Sequence, residues 1–434
     1  MDIRPRKMGD NRPRKLHVEI TTRCNLQCRM CVKYAAGSTI AEGDMPLALF
    51  SRLLPSLAGL DQLILNGIGE PLLHADLPEM IRLARAEMAA EAEIGLQSNG
   101  VLLDHHRART LITAGLSTIC LSLDSLQPAK SHTASQEHGV AAVDRAIAEL
   151  NQARRELARP LRIGVEMVLT RENLVELPEL VLWAATRGVD YLLVSHLFLY
   201  DAVAEERSLF QHNPREASEL FLKYRRLAAA EGVNLDDCLA TYLKFTRSAA
   251  EQRLVELFSR MQQEAGENDI RLHLRSLAEP GNYPLEEIAR QFAAAEQAAR
   301  GNIALFLPPL QADTHRSCRF IEEQASFVNG NGDVMPCHFL WHSYACRVLG
   351  DTVQVEKRVF GNITRDTLTA LWQSPAYQQF RREAGAYQYA PCWSCAQGPC
   401  ADLVNDRNQY ANDCYGSRVP CGHCQWSLGG VRCL

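Results

Sequence analysis

Residues 16–31, Leu-His-Val-Glu-Ile-Thr-Thr-Arg-Cys-Asn-Leu-Gln-Cys-Arg-Met-Cys, constrain this chain more than any other stretch. Leu16, Val18 and Ile20 alternate with polar residues, the period of a strand. Cys24, Cys28 and Cys31 follow in Cys-x3-Cys-x2-Cys spacing, on what reads as a loop. Cysteine thiolates are the usual ligands of iron–sulfur clusters. A four-iron cluster takes four ligands and this loop offers three, which leaves one iron open to another molecule. Zinc is the competing metal, but zinc sites pair Cys-x2-4-Cys with a second ligand pair, and none lies near residue 31.

The remaining thiols support a metal role. Fifteen cysteines in 434 residues, with no apolar signal region after the basic start, point to a reducing cytoplasm and to metal rather than disulfides. A charged fraction of 22% and a hydrophobic fraction of 47% describe a soluble chain, long enough for two or three domains. The net charge of −5 gives no general field for nucleic acid, and no apolar run spans a bilayer. The basic residues among 1–15 read as a solvated tail.

From residue 16 to 200 the pattern alternates strand and helix six times. Strands are expected over 16–20, 62–65, 94–98, 118–122, 163–169 and 191–198. Helices are expected from Asp44, as N-cap, through Leu57, then over 77–88, 140–157 and 174–186. Such alternation predicts an α/β fold with a parallel sheet and its chemistry at the carboxyl ends of the strands. Polar and glycine residues fall at those ends: Gly67, Gly69 and Glu70, then Asn99, then Ser122 and Asp124, then Asn173. Cys120 and Cys238 read as buried structural thiols.

The cysteine spacing directly after a first strand resembles the radical S-adenosylmethionine (SAM) superfamily. The resemblance implies a partial (β/α)6 barrel over 16–200, a four-iron cluster on Cys24, Cys28 and Cys31, and SAM bound at its open iron. It also implies SAM contacts for Gly67, Gly69 and Glu70 in Gly-Ile-Gly-Glu-Pro, for Asn99, for Ser122 and Asp124 in Ser-Leu-Asp, for Asn173, and for the backbone over 193–196. Met30 stands where relatives often carry an aromatic residue near adenine.

Residues 201–312 read as a helical connection, with helices over 217–230, 239–265 and 285–300 and short strand-like pieces over 270–274 and 303–307. Leu243, Phe245, Leu254, Phe258 and Met261 read as core. Residues 313–434 carry Cys318, Cys337, Cys346, Cys392, Cys395, Cys400, Cys414, Cys421, Cys424 and Cys433. Two fully ligated four-iron clusters would use eight of these ten. A zinc tetrathiolate from Cys392, Cys395, Cys421 and Cys424 is the competitor. Cys318 with Gly332 and Cys337, a hairpin signal over 329–332, a helix over 368–382, and the run Cys392-x2-Cys395 then Cys400 resemble the SPASM domain of many radical SAM enzymes. That implies two auxiliary clusters, whose ligand partition stays open because Val404 stands where a further cysteine is usual. The run over 338–346 reads equally as packed loop or substrate contact.

The resemblance implies an enzyme that cleaves SAM to a 5'-deoxyadenosyl radical, fed by a low-potential ferredoxin or flavodoxin. SPASM proteins mostly modify peptides or proteins. Cys24 comes too early to leave room for a peptide-recognition domain before the barrel, so the expectation is a maturase of a peptide or protein, with a metalloenzyme as one target. A small-molecule dehydrogenase or epimerase is the first alternative. A non-catalytic iron–sulfur carrier is the second, and Glu70, Ser122 and Asp124 argue against it.

Overall fold

The structure, a computed structural model, describes residues 12–35, 38–127, 139–242, 244–278, 285–313, 316–348, 351–387 and 420–431. Six parallel strands follow one another in space as in sequence: β1 (Lys15–Val18), β2 (Gln62–Leu65), β3 (Glu93–Ser98), β4 (Thr118–Ser122), β5 (Arg162–Leu169) and β6 (Tyr191–His196). Helices Leu77–Glu87, His105–Ala114, Val140–Leu157 and Leu177–Thr186 return the chain between them. Their buried faces (Met80, Ile81, Leu111, Ile147, Leu150, Leu180) meet the strand residues Leu16, Val18, Leu63, Leu65, Leu96, Ile119 and Leu121 in one continuous core.

The opposite face of the sheet is concave, because side chains there meet across an intervening strand. Tyr191 on β6 reaches over Gly164 of β5 to Thr118 on β4, with 3.3 Å between the hydroxyls. A Cβ at Gly164 would stand 2.1 Å from the Tyr191 ring, so only glycine leaves room for this plug. Higher up, Gln97 on β3 hydrogen-bonds Glu166 on β5 above Cys120, and Ser195 on β6 donates to Glu166 at 3.4 Å. The partial barrel therefore has an apolar outside and a polar lumen.

The sheet continues beyond six strands at both edges. Helix Leu285–Ala299 packs on helix Leu177–Thr186 and leads to β7 (Ala304–Phe306), parallel to β6. At the other edge β8 (Ala325–Val328) pairs in parallel with β1, and β9 (Asp333–Met335) turns back beside β8. The expected hairpin turn lies between β8 and β9, with Gly332 at φ +82°. A separate ribbon, β10 (Tyr344–Val348) with β11 (Asp351–Val355), precedes β12 (Gly361–Asn362), which closes the edge against β9. The cysteine-rich end thus extends the sheet begun by the first cysteine motif.

Several expectations are corrected. Asp44 is no helix cap: its carboxylate is held by Arg23 and by Thr21 Oγ1 at 2.6 Å, and Pro46 takes the N-cap position of helix Leu47–Phe50. Pro55 starts a new short helix, Leu54–Leu57, and Phe50 is buried more deeply than Leu49. The helix over 239–265 divides into Cys238–Tyr242 and Ala249–Glu267, because Ser248 and Glu251 form a capping box. Phe245, in the break, is fully exposed rather than core, whereas Leu254, Phe258 and Met261 are buried. Residues 270–273 form no strand, and Leu274–Ala278 is a short helix. The helix over 368–382 divides into Leu368–Trp372 and Pro375–Gly385, where Ser374 caps the second. Helices Arg215–Ala230 and Ala249–Glu267 close a second core of their own, while helix Leu285–Ala299 belongs to the barrel. Cys120 and Cys238 are buried, as expected.

Candidate active site

The cysteine loop is built by polar bonds beyond β1. Thr22 Oγ1 donates to the Ala41 carbonyl at 2.7 Å and accepts the Gly43 amide at 2.8 Å. Lys33 spans from the Thr22 carbonyl (3.0 Å) to Glu42. The Cys31 amide donates to the Cys28 carbonyl at 3.1 Å, and the Leu26 amide donates to Cys24 Sγ at 3.4 Å. The three thiols are partly buried. Burial raises all three, Cys28 to about 12; Cys28 also feels the charges of Cys31 and Cys24, and Cys31 that of Cys24. Thiols this desolvated ionise when a metal takes the proton's place. Among the described residues no three His, Cys, Asp or Glu side chains converge as ligands of a single ion do. Ligands of a four-iron cluster each hold a separate iron, and three neighbouring, partly buried thiols with an N–H···S bond to one of them fit that group.

The strand-end motif of β2 packs directly on this loop. A Cβ at Gly69 would stand 2.4 Å from the Arg23 carbonyl and 2.5 Å from that of Thr21, and one at Gly67 would stand 2.5 Å from Glu19 Cγ. With no side chains in the way, the Gly69 amide donates to Thr21 O (3.2 Å) and the Glu70 amide to Arg23 O (2.8 Å). The Glu70 carboxylate accepts from Leu72 N (3.0 Å), Ser98 Oγ (2.7 Å) and Asn99 N (2.8 Å). Burial still raises it above the usual carboxylate range. Its four lone-pair positions leave one unused by these donors. Asn99 ties β3 to the loop through Asn25, at 2.8 Å.

Ser122 is exposed at the end of β4, and Asp124 follows it, partly buried. Asp124 accepts from Val168 N at 3.0 Å, and burial pushes it up to about 6. It lies close enough to Cys28 for its charge to raise that thiol. Asn173 is a clasp: its Nδ2 donates to Asp124 O (2.8 Å) and Val168 O (2.9 Å), and its Oδ1 accepts Thr170 N (2.8 Å). Both its donors are thus engaged by backbone at the ends of β4 and β5. Met30 packs with Leu197, Leu199 and Ala204 beyond β6. The His196 amide at the end of β6 donates to Gly430 O at 2.9 Å.

Two groups escaped the sequence reading. One is the lumen set Gln97, Glu166 and Ser195. Glu166 is raised to about 8, by burial first and by Asp124 second. Its signal was a carboxylate amid the apolar run over 163–169. The other is Glu19, whose carboxylate meets His342. Glu19 shares a face with Lys15 and His17 by alternation, but its partner lies 323 residues away.

Four of the later thiols come together. Cys424 is raised well above the usual thiol range by burial and by the charges of Cys421, Cys337 and Cys318. Cys421 and Cys424 share one turn, with the Cys424 amide donating to Cys421 O. Cys318 opens helix Arg319–Glu322, and Cys337 follows β9. Cys346 is buried on β10 beside them, and both it and Cys337 are felt by Tyr344. Cys392, Cys395, Cys400, Cys414 and Cys433 lie outside the described residues. In the run over 338–346, His338 is packed among His17, Phe320, Phe327 and Trp341, with ring centroids 4.6–5.2 Å away. Burial lowers it to about 3.

Comparison with known proteins agrees with this geometry. Residues 18–184 match the radical SAM superfamily, and residues 318–396 match SPASM, an iron–sulfur cluster-binding domain. The tungsten-containing aldehyde ferredoxin oxidoreductase cofactor-modifying protein of Pyrococcus furiosus is 27% identical over 424 residues, 96% of each chain. The GTP 3',8-cyclase of Chlorobaculum tepidum is 36% identical over 117 residues, 26% of this chain and 34% of that protein. Among solved structures, Streptococcus suis SuiB bound to S-adenosylmethionine has 13% identity and a TM-score of 0.48, covering 92% of this chain and 76% of its own. The cofactors of the two matched regions are a four-iron cluster with SAM in the first and auxiliary iron–sulfur clusters in the second. This chain belongs to the radical SAM superfamily and carries a SPASM domain, and it is an enzyme.

Proposed function

We propose that this enzyme is a maturase that serves a metalloenzyme, modifying a peptide, a protein or the cofactor bound to one. When bound, the cluster and SAM supply reductive cleavage to a 5'-deoxyadenosyl radical, with electrons from a low-potential ferredoxin or flavodoxin. One observation carries the substrate reading: the relation to a cofactor-modifying protein of a tungsten enzyme runs through 96% of both chains, auxiliary region included.

The chain's own residues would divide the work as follows. Cys24, Cys28 and Cys31 would hold the first cluster. Gly67 and Gly69 bring backbone against the cysteine loop, and the unused lone pair of Glu70 would receive the ammonium group of SAM. Ser122 offers a hydroxyl at the lumen mouth. Asp124, mostly ionised at neutral pH, offers an acceptor beside it. Asn99 and Asn173 act through the loops they fasten. Met30 with Leu197 and Leu199 supplies an apolar seat for a flat ring. We assign the 16–200 segment to SAM, 313–434 to auxiliary clusters and the second core within 201–312 to neither. Cys318, Cys337, Cys421 and Cys424 are one auxiliary ligand set, with Cys346 outside it. The second set would draw on Cys392, Cys395, Cys400, Cys414 and Cys433.

Anaerobically reconstituted protein given SAM and dithionite is expected to release 5'-deoxyadenosine. Iron at full load without that nucleoside would favour an electron carrier. For the substrate, a tungsten-containing aldehyde ferredoxin oxidoreductase, the enzyme named with the full-length relative, would be incubated with the reaction. Intact-mass spectrometry of the protein and of its extracted cofactor then shows which one changes, and no change in either overturns the maturase reading.

A further inference from the structure

The cysteine-rich end places one side chain at the root of the SAM loop. Glu19 follows β1 and is 1% exposed. Its Oε1 accepts the Ile68 amide at 3.2 Å, inside the Gly-Ile-Gly-Glu-Pro motif. Gly67 lies so close to Glu19 that a Cβ there would stand 2.5 Å from Cγ. His342 Nε2 stands 3.1 and 3.0 Å from the two Glu19 oxygens. A carboxylate only accepts, so Nε2 carries the hydrogen. His342 itself is 13% exposed and lies five residues beyond Cys337 of the auxiliary thiol set.

We propose that His342 is a positioning residue for SAM: through Glu19 it fixes the Gly67–Gly69 backbone, so that the auxiliary region sets the affinity of the SAM site. The physical reason is that a buried carboxylate left without a donor seeks another, and the motif's Ile68 amide is the donor it already holds. With His342 present both oxygens are engaged and the Ile68 amide keeps one defined partner. Without it the carboxylate can turn, and the backbone that must lie close to SAM loses its anchor. This inference rests on the SAM reading above.

The test uses full-length, anaerobically reconstituted protein as wild type, His342→Ala, His342→Gln, Glu19→Gln and the double variant His342→Ala/Glu19→Gln. SAM dissociation constants come from equilibrium dialysis, alongside iron content. His342→Ala is expected to weaken SAM roughly tenfold with iron unchanged. His342→Gln, which keeps a donor at the Nε2 position, recovers most of the loss. The double variant is expected to be no weaker than Glu19→Gln alone, because both changes break one link. Wild-type affinity in His342→Ala, no recovery in His342→Gln, or independent, multiplying losses in the double variant would each overturn the proposal. Wild-type protein that binds no SAM would instead defeat the SAM reading itself.

Discussion

At Gly69 a single methyl group decides whether the cysteine loop can seat. A Cβ would press on two backbone carbonyls, which cannot swing aside as a side-chain tip would. Gly69→Ala is therefore expected to lose the Thr21 and Arg23 backbone bonds and most of the first cluster, read as a fall in iron content and in the cluster's electron paramagnetic resonance signal. Glu166 makes a different prediction. Its acid is raised to about 8 in the folded chain, against about 4.3 unfolded. The folded state therefore binds the proton more tightly, and stability falls as pH rises between these two values. Glu166→Gln removes this dependence while keeping the shape. Its melting temperature is expected to exceed that of the wild type by several degrees at pH 8.5 and to match it closely at pH 4, below the unfolded value. The packing of Gly67, Gly69 and Glu70 beside the cysteine loop could be anticipated because they form a short motif at a strand end. Glu19 was not, because its meaning depends on His342, and no spacing rule connects residues so far apart.

Helices and strands were legible where one local signal ruled. The helix Val140–Leu157 has both ends where its apolar period begins and stops. The helix expected over 239–265 is broken because Ser248-x-x-Glu251, a helix start signal, outweighs the leucine spacing that runs through it. That capping box gives the prediction at this scale. Ser248→Ala should cost about 1 kcal/mol, felt by the second core of helices Arg215–Ala230 and Ala249–Glu267. Hydrogen exchange should speed up in Ala249–Glu267 and stay unchanged in β1–β6. Equal loosening of the barrel would mean that the two cores are not energetically separate. The turn between β8 and β9 was equally legible, since Asn-Gly-Asn-Gly has few other uses between apolar runs.

Across the whole molecule, the order of strands β1–β6 could be foreseen, because each unit packs on the one before it. The placement of β8 beside β1 could not, since nothing in either strand names its neighbour. The same limit hid the thiol grouping. Cys421 and Cys424 stand far from Cys318 and Cys337 in sequence, and their convergence emerges only from the fold. Cys424→Ser is expected to lower iron by about four atoms per chain, one cluster of the four-iron type, while SAM-dependent nucleoside release by the first cluster persists at reduced yield. Unchanged iron would remove this thiol from the auxiliary set. The β1–β8 pairing carries a further consequence for how the protein is made. Lys15 and Glu323, joined across that seam, are 308 residues apart. On the ribosome β1 finds β2 early, yet its other edge keeps open hydrogen-bonding groups until most of the chain has emerged. That edge of β1, the flank of the first cysteine loop, closes only once residue 328 has emerged.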